Sequence, residues 1–361
     1  MFVAIRDLRF AKGRFALMGT VVTLITLLVV LLSGLTAGLG RGNTSAITDL
    51  PADHLVFSAP ASGAKLAFTD SSIAPSVQAS WSRVPGVQRA EPVTITMTRA
   101  GVDGRSAGVA LFAVPSGSPL APGVAPGQVV LSTKAATALQ VAVGDHVDVA
   151  GQSVTVAAVS GDEEFSHAPV IWAVTTSALS SGKKPGEATF LALTTDGSST
   201  DDASLAAADQ RLGTTTLTPG QSLSAIGSYT SENGSLQLMR ALLFAISALV
   251  IGAFFTVWTV QRSGEIAILK ALGASTSYLL KDALGQALAL LALGTALGTA
   301  MAAGIGAAIT TLAGSAVPFV LNLPTLLLPA VVMIVLGLAG AAVSLRTVTT
   351  VDPLTALGSA R

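Results

Sequence analysis

The side chains best suited to holding a ligand gather in one short stretch. Between Gln221 and Arg240 the sequence QSLSAIGSYTSENGSLQLMR loses strand character, and wound as a helix it brings Tyr229, Glu232, Asn233, Leu236 and Arg240 onto roughly one face. Four of those five are polar or amphipathic; the plain alternative is the ordinary polar flank of a membrane helix. Elsewhere the chemistry is thinner. His54, His146 and His167 stand apart, with neither H-E-x-x-H nor paired i, i+4 spacing, and are expected in surface or structural roles. Asp162-Glu163-Glu164 could form a cation site or an acid pair but reads better as a solvated loop. No G-x-S-x-G elbow occurs. No phosphate-cradling G-x-x-x-x-G-K-[ST] occurs either: Gly182-Lys183-Lys184 has no glycine five positions earlier and no hydroxyl after the lysine. Any ATP hydrolysis therefore belongs to another chain. With no cysteine, disulfides and thiolate metal sites are out of reach.

The elements that must position Glu232 and its neighbours are membrane helices. Of 361 residues 51% are hydrophobic and 11% charged, with mean hydropathy +0.68, too apolar and charge-poor for an ordinary soluble enzyme. Residues 15–40 form an uncharged run long enough to cross a hydrocarbon core of about 30 Å, and are expected as an uncleaved anchor, transmembrane helix 1, rather than a secretory signal. Residues 241–261 are a second span, headed by a stalk at 221–240. The uncharged stretch 283–345 is too long for one span and divides at Pro318, Asn322 and Pro324, giving spans at 283–313 and 325–345 around an external hairpin at 314–324. Gly34 and Gly38, four apart, would permit close helix approach in lipid. The spans hold no interior acid, base or histidine, which argues against an ion-coupled carrier and against a polar tunnel.

Charge sets the orientation. Residues 1–40 and 241–361 hold 9 Lys/Arg against 4 Asp/Glu, whereas residues 41–240 hold 11 against 16. Short basic segments stay in the cytoplasm. The expected fold is thus an α-helical membrane protein with four transmembrane helices, cytoplasmic N and C termini, and a large extracellular α+β domain between helices 1 and 2. At the N-terminus, residues 1–14 place Phe2, Ile5 and Leu8 opposite Arg6, Arg9 and Lys12, either a helix in the headgroup layer or a simple basic flank; residues 346–361 form a cytoplasmic tail. The ectodomain, 41–220, shows strand patterns at HLVFSA, PVTITMTR, GVALFAV, QVVLST, DHVDVA, QSVTVAAVS and TFLALTT, and helices at 132–141 and 201–212. The Pro- and Gly-rich residues 115–128 suggest a boundary between two subdomains.

One cytoplasmic connection, 262–282, is unlike a plain loop. RSGEIAILKALGAS puts Ile266, Leu269 and Leu272 on one stripe with Arg262, Glu265 and Lys270 around it, and Gly273 as the helix stop. A half-apolar helix on that face is expected to receive a soluble partner.

Together AIRDLRFAKGRFAL, LSTKAATALQVAVGDHVDVAGQSVTVAAVSG, the E-I-x-x-L-K-A-L-G-A core of the loop helix and the terminal D-P-x-x-A-L resemble the MacB-type ABC transporter permeases over nearly the whole chain. The resemblance implies a homodimer in a bacterial plasma membrane whose loop helix, through Arg262, Glu265, Ile266, Leu269 and Lys270, sits on a separate ATP-binding subunit that carries ATP and Mg. The N-terminal helix and the segment Asp352 to Leu357 would lie beside it. Y-T-S-E-N-G-S before the second span looks most like the haem-exporting HrtB and DevC branch, whose permeases pair with an HrtA-like ATPase. It implies haem as the transported ligand, with no intrinsic cofactor. On that implication Glu232 would ligate ferric iron as a hard oxygen donor, with Met239 the alternative axial ligand, Arg240 or Arg41 near the propionates, and Tyr229 and Asn233 alongside. Lipids are the other expected contact and nucleic acid is not. An exporter of a lipoprotein, peptide or antibiotic, or an FtsX-like signal transmitter, would share the topology.

Overall fold

The computed structural model describes residues 12–121, 123–176, 186–197, 202–261, 264, 268, 272–312 and 317–349, and divides into two compact units: residues 39–234, and the segments 1–38 and 235–361 together. Most of the expected N-terminal helix, the side chains Arg262, Glu265, Ile266, Leu269 and Lys270, and the tail from residue 350 lie outside the described residues.

In chain order, α1 (Lys12–Thr48) leads into β1 (His54–Ser58), α2 (Pro75–Trp81), β2 (Val87–Val102) and β3 (Arg105–Val114). Then come β4 (Gln128–Leu131), α3 (Thr133–Leu139), β5 (His146–Val149), β6 (Gln152–Val159), β7 (Glu164–Phe165), β8 (Ala168–Val174) and β9 (Phe190–Thr195). After α4 (Asp202–Leu212), β10 (Thr214–Leu217) and the short α5 (Pro219–Ser222), three long helices follow: α6 (Gly227–Gln261), α7 (Thr276–Leu312) and α8 (Leu323–Thr349).

Among the described residues four helices are long and apolar enough to cross a membrane, lying in α1, α6, α7 and α8. All run past the charge-free windows. The helix of α1 continues eight residues beyond Gly40, and the stalk is helical from Gly227 and fused to the second span in one 35-residue helix. Leu223 to Ala225 form a 3-10 turn, and Ile226 is extended, so the chain redirects just before α6 begins.

Within the membrane unit the helices meet where glycine removes the side chain. A Cβ on Gly298 would stand 2.5 Å from the Thr23 carbonyl oxygen, and the Thr23 hydroxyl donates to the Gly294 carbonyl at 3.2 Å, fastening α7 to α1. Gly252 and Gly340 bring α6 against α8, where the Ser344 hydroxyl donates to the Gly252 carbonyl at 2.9 Å. Small residues of this kind allow the close packing that lipid solvent otherwise leaves without a driving force. Met18, Val22, Val29, Ile251, Phe255, Leu291 and Met333 fill the middle. Gly34 and Gly38 do admit a neighbour, but it is the 317–322 segment rather than a helix. The Phe319 ring lies 2.5 Å from where a Gly34 Cβ would be, the Pro318 carbonyl closes on Gly38, and Val320 N–H donates to the Gly34 carbonyl at 3.1 Å. Asn322 and Pro324 start a helix here rather than breaking one. The Asn322 side-chain oxygen accepts from Thr325 N–H at 2.9 Å, and Pro324 sits in the first turn, where its missing N–H costs nothing.

The unit 39–234 is built on a ten-stranded sheet of order β10-β1-β9-β2-β3-β8-β4-β6-β5, with β7 beside β8. β2 also pairs with β5 through Ala100↔Val149, so the sheet beyond β2 returns on itself as a ring of β2, β3, β8, β4, β6 and β5. Leu111, Val129, Leu131, Val147, Val156 and Ile171 pack together with α3 as one core. A second core shares β3 and β8 with the ring, and in it Phe57, Phe68, Phe112, Phe165 and Phe190 join Ala46 and Ile47 of α1. Each large side chain so buried stabilises by about 1.5–3 kcal/mol. Residues 115–127 lead from β3, whose Val114 belongs to the phenylalanine core, to β4, whose Val129 belongs to the other.

Candidate functional site

Glu232 lies on the second turn of α6, one turn after Ser228, so the two side chains share a face. Opposite them is the last part of α1, where residues 42–47 are buried on every side. The third wall is the β7–β8 hairpin, a two-residue turn in which Ser166 (φ 51°) and His167 (φ 63°) both adopt left-handed backbone. The turn is tied to α1 through its backbone: Ser166 N–H donates to the Asn43 carbonyl at 3.1 Å and His167 N–H to the Gly42 carbonyl at 2.9 Å.

These three segments, all within residues 39–234, close a polar cluster on one carboxylate oxygen. Glu232 Oε2 lies 2.7 Å from His167 Nε2 and 2.6 Å from Asn43 Nδ2. A proton on Nε2 makes both nitrogens donors to that oxygen, and their own separation of 2.8 Å follows from sharing one acceptor. The far side of Asn43 is fixed as well, because the Ser228 hydroxyl donates to Asn43 Oδ1 at 2.7 Å and reaches Ser166 Oγ at 3.0 Å. Asn43 is 1% exposed; the Glu232 and His167 side chains are 29% and 41% exposed. Among the described residues no group hydrogen-bonds Glu232 Oε1. Among those residues one oxygen is thus held and the other is free.

The remaining expected site residues divide. Tyr229 packs on the phenylalanine core and passes 3.9 Å from the Cβ position of Gly40, while Asn233 is half-buried beside it on the helix. Met239 is exposed, and Arg240 Nη2 donates to Gln237 Oε1 at 2.6 Å. Arg41 is engaged by Asp49 at 3.1 Å and Asp162 at 3.2 Å. The acidic run is solvated only in part: Asp162, 62% exposed in the loop, reaches Arg41, whereas Glu164, 14% exposed, pairs with Lys134 while its N–H donates to Ser45 Oγ at 2.8 Å. Sequence reasoning left out His167 and Asn43. Their only signals are a histidine inside a tight turn and an asparagine just past the charge-free run of α1, in Arg41-Gly-Asn-Thr-Ser.

In the connection between α6 and α7 few residues are described. Leu272 N–H donates to the Ile268 carbonyl at 3.0 Å, a helical bond, and Gly273 at φ 93° ends the helix where the sequence places its stop. Leu272 is 80% exposed and Ile268 55%.

Comparison with known proteins decides the family. The MacB-like periplasmic core domain matches residues 16–211, more than half of the chain, and the FtsX-like permease C-terminal domain matches 238–353. The chain belongs to the MacB-type ABC transporter permeases. Such a permease is a non-catalytic membrane subunit, here four apolar helices with a β-rich extracytoplasmic domain between the first two. The permease is 38% identical over 133 residues to a protein of Staphylococcus haemolyticus named as a hemin transport system permease, HrtB, an alignment spanning 37% of each chain. It is 26% identical to the HrtB-named protein of Staphylococcus epidermidis over 99% of both chains. Among solved structures, the extracellular domain of the ABC-type transporter YknZ from Gram-positive bacteria aligns at 14% identity and a TM-score of 0.33, covering 46% of the permease and 98% of that chain.

Proposed function

We propose that this permease is the membrane subunit of an ATP-driven efflux pump that takes ferric haem from the bilayer and releases it outside the cell. The observation that carries this reading is Glu232: a partly exposed carboxylate at the head of the second membrane helix, held on one oxygen and without a partner on the other among the described residues. That free oxygen suits a hard ferric centre. The end-to-end alignment with a relative named for hemin transport supplies the ligand class. Haem is a flat, largely apolar disc that partitions into membranes, so its export needs capture and release at the outer surface rather than a polar path through spans that lack charge.

Around that ligand, Arg240 is the better propionate partner, because Arg41 already satisfies two carboxylates. Tyr229 and Asn233 flank Glu232, and Met239 is the alternative iron donor. Two copies related by a two-fold axis would bring two such faces together. Force comes from a separate ATP-binding subunit of the HrtA kind, docked on residues 262–275, where the exposed Ile268 and Leu272 offer it apolar surface. The unbroken helices α1 and α6 act as the levers, and the termini lie in the cytoplasm.

The test is a titration of ferric haem into the purified full chain, followed by visible absorption. The wild type is expected to give a saturable Soret shift that Glu232→Leu removes; an unchanged shift and unchanged haem tolerance in Glu232→Leu would reject the ligand assignment. The FtsX-like match over 238–353 favours one other reading, a signal transmitter with the same topology. It differs in giving ATP hydrolysis indifferent to haem and an ectodomain that captures a cell-wall hydrolase.

A further inference from the structure

We infer that His167 and Asn43 are positioning residues for Glu232: by donating to the same carboxylate oxygen they aim the other, Oε1, as a single-oxygen ligand for ferric iron. This rests on the haem reading and adds to it the groups that orient the ligand. Outer groups of this kind fix the geometry and basicity of a metal-binding side chain, and losing one weakens binding about 10- to 100-fold.

Three observations support the assignment. The first is the count of partners. Oε2 takes both donors, at 2.7 Å and 2.6 Å, and no described group bonds Oε1, which leaves that oxygen open to a ligand. The second is the orientation of His167. Its Nε2 is committed to Glu232, and its Nδ1 faces α1, 3.1 Å from where a Gly42 Cβ would stand. The third is the turn. The hairpins joining β2 to β3 and β5 to β6 also use two left-handed residues, and both place glycine second, at Gly104 (φ 78°) and Gly151 (φ 80°). The β7–β8 turn places His167 there, where glycine is sterically easier. Its imidazole is retained against the local backbone preference and points at Glu232.

The turn also supplies a clean test, because His167→Gly removes the imidazole without straining the backbone. His167→Gln is the conservative partner, since its amide nitrogen falls where Nε2 stood. Ferric haem is titrated into the full-length wild type, His167→Gly, His167→Gln and Glu232→Leu, with dissociation constants taken from the Soret band and the ferric electron paramagnetic resonance spectrum recorded at saturation. Thermal melting confirms that each variant is folded. The inference expects His167→Gly to bind at least about tenfold more weakly with an altered ferric signal, and His167→Gln to recover both. Wild-type affinity and spectrum in His167→Gly, with binding still lost in Glu232→Leu, would overturn the positioning role and leave the haem reading intact. Loss in His167→Gly that glutamine does not recover would make His167 itself the ligand, and also overturns it. Wild-type protein that takes up no haem would overturn the haem reading, and this inference with it.

Discussion

A carboxylate near a membrane surface is costly to bury unless donors receive it, and Glu232 is received by two of them on one side. The neighbouring cations are not equivalent. Arg240→Gln is expected to weaken haem binding several-fold in the same titration, whereas Arg41→Gln, which breaks a half-exposed pair of ion contacts, should cost no more than about 1 kcal/mol of stability and leave haem affinity near wild type. The reverse order would transfer the propionate role to Arg41. Packing glycines give a second check. Gly38→Val would drive a side chain into the Pro318 carbonyl, an overpacking of about 1–3 kcal/mol that lowers the melting temperature of the detergent-solubilised chain, while the same change at the open Gly285 should not. At this scale the sequence was only half legible. Helical spacing was enough to group Glu232 with Tyr229 and Asn233. His167 lies 65 residues from Glu232 and Asn43 lies 189 away, and no spacing rule reaches across a sheet whose strand order is unknown.

At the scale of elements most strands were legible in the sequence, but β8 and β10 were not. Ala168-Pro-Val-Ile-Trp-Ala-Val reads as a continuous apolar run, because β8 lies between β3 and β4 with most of its residues buried. β10, Thr-Thr-Thr-Leu, is too short and polar to announce itself. The ring closure was equally invisible, since it rests on the far end of the 16-residue β2 meeting β5. Gly101→Pro tests that closure: near the end of β2 it removes the ladder N–H that faces β5, and hydrogen exchange of the β5 and β6 amides should accelerate while that of β1 and β9 stays near wild type. Uniform acceleration across the sheet would mean that the ring has no stability of its own. Helix lengths were underestimated for a related reason. Absence of charge marks what lipid can cover, whereas α1 continues as a helix into a protein core that buries Asn43, Thr44 and Ser45 as readily as Ile47.

For the whole molecule, the four membrane helices and the interposed ectodomain were legible from charge alone, because a span must exclude charge and a cytoplasmic loop keeps its lysines and arginines. The sidedness of the loop before α7 is open to a direct check, since the chain has no cysteine of its own. A Leu272→Cys variant should react with a membrane-impermeant maleimide only after the cells are opened; labelling of intact cells would place that loop outside and remove the site for an ATP-binding partner. Haem export is measured most simply as transport. The permease and its ATP-binding subunit are reconstituted together in liposomes loaded with ferric haem, and the haem leaving the bilayer is followed on addition of ATP. ATP-dependent release toward the ectodomain side is expected, needing both subunits and lost in Glu232→Leu; haem that stays in the membrane while ATP is hydrolysed at an unchanged rate would contradict haem export.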